Sequence, residues 1–200
     1  MRRDLGTAVL MMAYGGPQSL EEVEPYLLDV RGGRPTAPEL VEEIRERYRQ
    51  IGRRSPLLSI TQAQAKALED VLNADGDRRF RTYVGMRHWH PYIRDAVGQI
   101  VEDGARRMVA LCMAPHYSRM SVGAYFQKVR EALDELGADL EVTYIDSWND
   151  HPGFIEAVAK KLIAALATFP AKARDRVTVI FTAHSLPARI VGEGDPYPAE

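Results

Sequence analysis

The hydrophobic and polar positions of this chain fall into short apolar runs separated by longer amphipathic segments. The apolar runs predict five β-strands, at residues 7–14, 80–85, 108–113, 140–145 and 177–182. Between them, apolar residues spaced three and four apart predict helices, at residues 38–50, 61–72, 91–103, 122–136 and 152–167. Because strands alternate with helices of this length, we predict an α/β fold of parallel sheets flanked by helices, with right-handed crossovers.

Local signals refine two of these helices. Thr61 followed by Gln64 is a capping-box pattern, which predicts that the helix ending near residue 72 starts at this point. The spacing within 38–50 predicts that Leu40, Ile44 and Tyr48 share one apolar face.

Histidines lie at the ends of several predicted strands. His184 follows the fifth strand, and the loop after it cannot continue the strand because Pro187 lacks an amide donor. His88 and His116 follow two other strands, and Tyr14 ends the first. Open α/β sheets bind ligands outside the carboxyl ends of their strands, so His184 is the leading candidate for chemistry. A neutral imidazole can bind a first-row divalent metal or accept a proton near neutral pH.

The other histidines have structural interpretations as well. His88 could face the crevice or pack against Trp89. His116 could either support the residues of a site or have a purely structural role. His90 and His151 are expected at helix starts. The histidine spacing does not match a structural zinc site. An open metal site completed by other residues is kept as an alternative. The sequence also lacks dinucleotide, P-loop and zinc-protease motifs.

Arginines are concentrated in the first third of the chain, at Arg31, Arg34, Arg47, Arg53 and Arg54. Guanidinium groups bind carboxylates in a bidentate manner, which suits an acidic ligand with several carboxylates. We favour binding for Arg31 and Arg47. Arg45 and Arg49 are instead expected to pair with glutamates on a solvated helix face.

Composition excludes several classes of protein. The chain has 46% hydrophobic and 27% charged residues, and its net charge of −2 gives no reason to expect nucleic-acid binding. No apolar stretch is long enough to cross a bilayer. The one cysteine, Cys112, fits a reducing cytoplasm and is expected to be buried and inert. The phenols of Tyr14 and Tyr125 could bind a metal or stack on a flat ring, although each alone is more typical of a core or rim aromatic.

The carboxyl terminus interrupts the βα pattern. The chain stops at Glu200, soon after the fifth predicted strand and without a closing helix, so we expect an amino-terminal fragment. The polar segment 146–150 is the predicted domain crossing. It divides the chain into a first α/β domain over 1–146 and the start of a second over 147–200.

Five sequence blocks resemble the ferrochelatases, enzymes that insert ferrous iron into a porphyrin. They cover residues 12–17, 47–57, 114–125, 182–187 and 194–198, in the order found in the family. The last two, Thr-Ala-His-Ser-Leu-Pro and Gly-Asp-Pro-Tyr-Pro, match its active-site signature. The resemblance implies a lyase-class metal chelatase of haem biosynthesis. It also implies two similar Rossmann-like, chelatase-type halves around a porphyrin cleft, the second incomplete here.

The resemblance also implies roles for individual residues. His184 would be the catalytic metal ligand or proton acceptor, and Tyr14 would bind iron on the opposite face of the ring. The residues expected to contact the macrocycle or its propionates are Tyr14, Arg31, Arg47, Tyr48, Ser55 and Tyr125. His88 and His116 are expected to support them. A partner glutamate is expected in the missing carboxyl-terminal part.

Tyr14 suggests the type of substrate. Coproporphyrin-using members, typical of Gram-positive bacteria, carry tyrosine at this place, whereas protoporphyrin-using members usually carry an apolar residue. Coproporphyrin III has four propionates, which agrees with an arginine-rich rim. Some relatives hold an iron–sulfur cluster through a cysteine just after the block that resembles residues 114–118. Arg119 and Met120 occupy that stretch here, so we expect no cluster. Ferrous iron is expected as a substrate.

Two alternatives are retained. A cobalt chelatase of the same broad fold would use His88 or His116 as a second histidine. A non-catalytic tetrapyrrole carrier would bind haem through Tyr14 and His184, and would need no proton acceptor.

Overall fold

The computed structural model describes residues 6–76 and 79–200. Four parallel strands, β1 (Thr7–Ala13), β2 (Phe80–Met86), β3 (Arg107–Cys112) and β4 (Glu141–Ile145), form one sheet in the order β2-β1-β3-β4. Thr7 pairs with Phe80 on one side and with Arg107 on the other, so the carboxyl ends of β1, β2 and β3 lie at one edge. The predicted parallel α/β class is confirmed.

Helices connect and cover these strands. Their bounds are α1 (Val23–Val30), α2 (Pro38–Gln50), α3 (Leu57–Leu72), α4 (Ile93–Glu102), α5 (Val122–Leu136), α6 (Pro152–Ala167), α7 (Ala171–Arg174) and α8 (Arg189–Gly192). The predicted bounds of α2, α5 and α6 agree with the structure. None of the helices in the described part of the chain is long and apolar enough to span a membrane.

The core lies on both faces of β1. Alternate residues of this strand, including Leu10 and Met12, pack in a cluster with α4 and α5. Val9 and Met11 pack on the opposite face with Ala65 of α3. Because both faces are covered by helices, β1 is a continuous apolar run rather than an alternating one. This buried strand is the rigid element that carries the chain to the edge of the sheet.

Two predicted helix details are wrong. α3 begins at Leu57, and Thr61 lies inside it, donating its hydroxyl to the Leu57 carbonyl at 2.8 Å. The capping-box pattern therefore does not mark a helix start here, since a threonine inside a helix can satisfy its hydroxyl on the preceding turn. In α2, Ile44 and Tyr48 are half-buried as predicted, but Leu40 is 40% exposed and the buried residue is Val41, 2% exposed.

The predicted fifth strand is also wrong. Residues 177–182 form neither helix nor strand, and Ile180 and Phe181 are 79% and 75% exposed. A strand needs a hydrogen-bonded neighbour, and within residues 6–76 and 79–200 no strand pairs with this apolar run. His184 therefore follows an exposed irregular segment. The division at residue 146 stays a prediction, although α6, which follows it, has no buried residue.

Candidate functional site

Tyr14 lies directly after β1, at the carboxyl edge of the sheet. The strand residues before it are buried, whereas Tyr14 is 42% exposed. Gly15 then takes φ 94°, a left-handed conformation that favours glycine, and a Cβ there would lie 2.9 Å from the backbone nitrogen of Trp89. The chain therefore turns sharply after Tyr14. An exposed phenol at the end of a buried strand is well placed to meet a ligand.

His88 lies beside Tyr14 because β2 runs parallel to β1 and ends in register with it. The His88 amide donates to the Tyr14 carbonyl at 2.9 Å, and the two rings lie 4.7 Å apart, tilted by 51°. His88 Nδ1 lies 2.8 Å from Oδ1 of Asp29, at the end of α1. Burial lowers the pKa of His88, while the hydrogen bond to Asp29 opposes that shift. The imidazole therefore lies between the Asp29 carboxylate and the Tyr14 ring.

A second group of predicted site residues surrounds Gly16. Ser55 is buried, and its amide donates to the Pro17 carbonyl at 2.8 Å. A Cβ on Gly16 would lie 2.6 Å from Ser55 Oγ and 3.6 Å from the Tyr48 hydroxyl. Burial raises the pKa of Tyr48. The glycine turn thus brings Tyr48 and Ser55 close to the end of β1, although they lie more than 30 residues further along the chain.

Tyr125 belongs to α5 and is 5% exposed. The Arg87 guanidinium lies 5.4 Å from the centre of its ring. Burial raises the pKa of Tyr125, and the nearby Cys112 thiol and Tyr14 phenol act in the same direction. Burial also raises the pKa of Cys112 to about 11, which agrees with the expected inert thiol. The Arg87 guanidinium therefore packs over a Tyr125 ring that is itself almost fully buried.

The arginines of the first third lie on exposed surface. Arg31 follows α1, and its carbonyl accepts from Arg34 Nε at 3.1 Å. Arg45 and Arg49 pair with Glu42 at 3.6 and 2.8 Å, which confirms the predicted pairing with glutamates. Arg45 is half-buried rather than solvated, and its Nε donates to the Leu20 carbonyl at 3.3 Å. Arg47 is paired in the same way, with Glu43 at 2.5 Å. A carboxylate ligand would have to compete with Glu43 for Arg47, whereas the Arg31 side chain makes no ion pair within the described residues.

His116 and His184 belong to another group of contacts. The Tyr197 hydroxyl donates to the His184 carbonyl at 2.9 Å, and the Tyr197 ring lies 6.3 Å from the His116 ring, edge to face. Asp195 accepts from the Ser118 hydroxyl at 3.0 Å and from the Arg119 amide at 2.8 Å. Although burial opposes it, these hydrogen bonds lower the pKa of the Asp195 carboxyl. The segment after α8 therefore fastens the His184 backbone to the loop after β3.

The two groups are separate in the part of the chain that the structure describes. No described hydrogen bond or ring contact joins the Tyr14 group to the His184 group. Nor do three side chains of His, Cys, Asp or Glu come together among residues 6–76 and 79–200 as a metal site would require.

A cavity of about 650 Å³ lies beside His88. Its wall includes Asp29, His88 and Tyr92, and it also contains Lys128 and Glu131 of α5. None of the six residues predicted to contact a porphyrin lines it. Sequence reasoning missed Asp29 and Tyr92, whose hydroxyl lies 3.3 Å from Asp29 Oδ2. The one local signal for Asp29 is its place in the last turn of α1, where the helix dipole disfavours an acidic residue.

Comparisons with known proteins point to one family. The profile of the family described as Ferrochelatase matches residues 6–200. A ferrochelatase of Herpetosiphon aurantiacus is 46% identical over 97% of this chain and 64% of its own length. A ferrochelatase of Deinococcus radiodurans is 44% identical over 94% of this chain and 60% of its own length. A coproporphyrin III ferrochelatase of Oceanobacillus iheyensis is 40% identical over 94% of this chain and 60% of its own length.

The described chain is a parallel α/β domain with an exposed phenol at the end of its first strand. The chain belongs to the ferrochelatase family. It spans 60–64% of the length of these three relatives.

Proposed function

We propose that this chain is the amino-terminal part of a coproporphyrin III ferrochelatase, which inserts ferrous iron into the porphyrin in the cytoplasm. The observation that carries the proposal is Tyr14, a 42% exposed phenol fixed at the end of a buried strand. A phenolate oxygen can bind iron, and the surrounding aromatic side chains suit a flat ring. The names of relatives such as the Oceanobacillus iheyensis enzyme support coproporphyrin III as the substrate.

The chemistry needs a proton acceptor and a metal ligand near the macrocycle. Iron can enter only after two pyrrole N–H protons leave, and bending of the ring exposes its nitrogen atoms. In our proposal His184 accepts a proton or passes iron on one face, and Tyr14 binds iron on the other. A glutamate beyond residue 200 would complete the site beside His184. Binding energy from the periphery of the porphyrin would support the distortion of the ring.

The periphery of the porphyrin would be bound by the remaining predicted residues. Arg31 and Arg47 are exposed and would bind propionates, with Arg47 exchanging Glu43 for the ligand. Tyr48 and Ser55 would contact the ring edge beside Gly16, and Tyr125 would contribute the 5% of its surface that is exposed. His88 and His116 would support the metal-binding side chains. No iron–sulfur cluster is part of this proposal.

The test is iron insertion by the full-length gene product and by its His184→Ala variant. Coproporphyrin III and ferrous iron are supplied without oxygen, and insertion is followed by the change in porphyrin absorption. We expect the variant to bind coproporphyrin III and to lose insertion. His151→Asn is the control, because His151 caps α6 by accepting from Gly153 and asparagine can replace that cap.

Each result is informative. Normal insertion by His184→Ala would refute the role of His184. Porphyrin or haem binding without insertion by the unmodified protein would instead favour the tetrapyrrole carrier. Faster insertion of cobalt than of iron would favour the cobalt chelatase.

A further inference from the structure

We infer that Asp29 is a positioning residue that holds Tyr14 in its metal-binding orientation by fixing the ring of His88. This inference rests on the proposed role of Tyr14 as a ligand of iron. It concerns a carboxylate that no sequence motif indicates, located 59 residues away from His88 along the chain.

The location of Asp29 is unfavourable for helix α1 itself. Asp29 lies in the last turn of α1, and this turn contains no basic residue. The helix dipole places partial negative charge at this end, so a carboxylate here is repelled rather than stabilised. The compensation comes from outside the helix. Asp29 Oδ1 lies 2.8 Å from His88 Nδ1, and Asp29 Oδ2 accepts from the Tyr92 hydroxyl at 3.3 Å.

These contacts determine which nitrogen of His88 carries the proton. A carboxylate can only accept hydrogen bonds, so the Nδ1 atom that faces Asp29 must be the protonated one. The His88 side chain is 14% exposed, so most of its ring is enclosed by protein. Because the Asp29 carboxylate binds one specific edge of the imidazole, the ring cannot turn over without losing this hydrogen bond.

The His88 ring is in turn the contact that supports the Tyr14 side chain. The two ring centres are 4.7 Å apart, and the His88 amide also donates to the Tyr14 carbonyl. Within residues 6–76 and 79–200, the Tyr14 hydroxyl makes no hydrogen bond that could fix the phenol instead. The orientation of the phenol therefore depends on ring packing.

The neighbouring cavity makes the orientation of Tyr14 depend strongly on the position of the His88 ring. His88, Asp29 and Tyr92 all line the space of about 650 Å³ between α1, α4 and α5. A histidine beside such a cavity has room to rotate away from Tyr14, and the hydrogen bond to Asp29 is what prevents it. Removing the carboxylate would let the imidazole swing into the cavity, and Tyr14 would lose the surface it packs against.

The experiment compares Asp29→Ala, Tyr14→Phe and His88→Ala in the full-length protein with coproporphyrin III and ferrous iron. The readouts are the absorption and resonance Raman spectra of the bound iron product, together with kcat and KM. We expect Asp29→Ala to shift the product spectrum toward that of Tyr14→Phe. We also expect it to lower kcat about tenfold while KM for the porphyrin changes little, since a hydrogen bond to a charged group is lost.

Two variants separate positioning from a general loss of structure. Asp29→Glu keeps a carboxylate acceptor and should restore part of the product spectrum. Glu24→Gln is the control on the same helix, because Glu24 is 67% exposed and pairs with Arg45 rather than with His88. In the His88→Ala background, Asp29→Ala should have no further effect on kcat, because Asp29 acts through His88.

The outcomes distinguish this inference from the proposed function. If Tyr14→Phe leaves the product spectrum unchanged, the proposed role of Tyr14 fails, whatever Asp29 does. If Tyr14→Phe changes the spectrum and Asp29→Ala does not, the role of Tyr14 stands and the inference about Asp29 is overturned. Equal effects of Asp29→Ala with and without His88 would overturn it as well.

Discussion

Replacing Gly16 by alanine tests the packing that brings Tyr48 and Ser55 to the end of β1. The added methyl group would lie 2.6 Å from both Cβ and Oγ of Ser55, closer than side-chain atoms can approach. Ser55 cannot easily move, because it is buried and its amide is bonded to the Pro17 carbonyl at 2.8 Å. Forcing an extra carbon into such a site destabilises a protein by about 1–3 kcal/mol.

The assay is urea unfolding of the full-length protein, followed by tryptophan fluorescence, since Trp89 is buried beside this glycine turn. Gly98→Ala is the matched control. Gly98 lies inside α4 and a Cβ there would meet nothing within 4 Å, so alanine should stabilise the helix by up to about 1 kcal/mol. The two glycine-to-alanine changes should therefore shift the free energy of unfolding in opposite directions.

A second variant tests the cause of the Gly16 effect. Ser55→Gly removes the side-chain atoms that collide with the new methyl group, so Gly16→Ala should cost less stability in the Ser55→Gly background than in the original protein. The reasoning about this turn would be refuted if Gly16→Ala unfolded at the same urea concentration as the unmodified protein. It would also fail if the cost were the same in both backgrounds.

Further predictions concern the carboxyl groups of Asp195 and Asp103 and the thiol of Cys112. Asp195→Ala should lower kcat for iron insertion by loosening the segment that holds the His184 backbone, whereas Glu193→Gln, measured in the same assay, should not. Cys112 should react slowly with iodoacetamide at pH 8 in the folded protein and rapidly in urea, as measured by mass spectrometry; equal rates would contradict its burial. The Tyr83 hydroxyl, 2.7 Å away, holds the pKa of Asp103 below its ordinary value of 3.8. The hydrogen bond from Tyr83 therefore contributes its full stability above about pH 5, and this stability is lost as the pH falls through the lowered pKa of Asp103. Asp103→Asn should be destabilising at pH 7 and less destabilising at pH 2, as urea unfolding at the two pH values would show.

The fold could be predicted wherever the sequence pattern reflects burial within this sheet. β1 is buried on both faces and reads as an uninterrupted apolar run, and α5 ends at Gly137, which takes the left-handed conformation with φ 57°. The run at 177–182 has the same character but forms no strand, since strand formation depends on a neighbouring strand as well as on composition. Thr61 shows the same limit for helices, because its capping pattern is satisfied inside α3.

The candidate site could be predicted only in part, for a similar reason. Tyr14 and His88 were identifiable as residues at strand ends, and parallel pairing of β1 with β2 brings them together. Asp29 was not identifiable, because its partner is distant in sequence and the contact depends on where α1 packs. Arg47 was singled out from Arg45 and Arg49 for its place beside Tyr48, yet all three pair with glutamates of α2. A motif locates such a side chain but does not show what it contacts in the absence of ligand.

The most direct test of the proposed function is the rate of iron insertion by the full-length protein with two porphyrins. Coproporphyrin III and protoporphyrin IX are compared at equal ferrous iron concentration, and kcat/KM is measured for each. We predict that coproporphyrin III has the larger kcat/KM, whether or not protoporphyrin IX is also a substrate. A larger value for protoporphyrin IX would contradict the proposed substrate, and no insertion into either porphyrin would contradict the proposed chelatase activity.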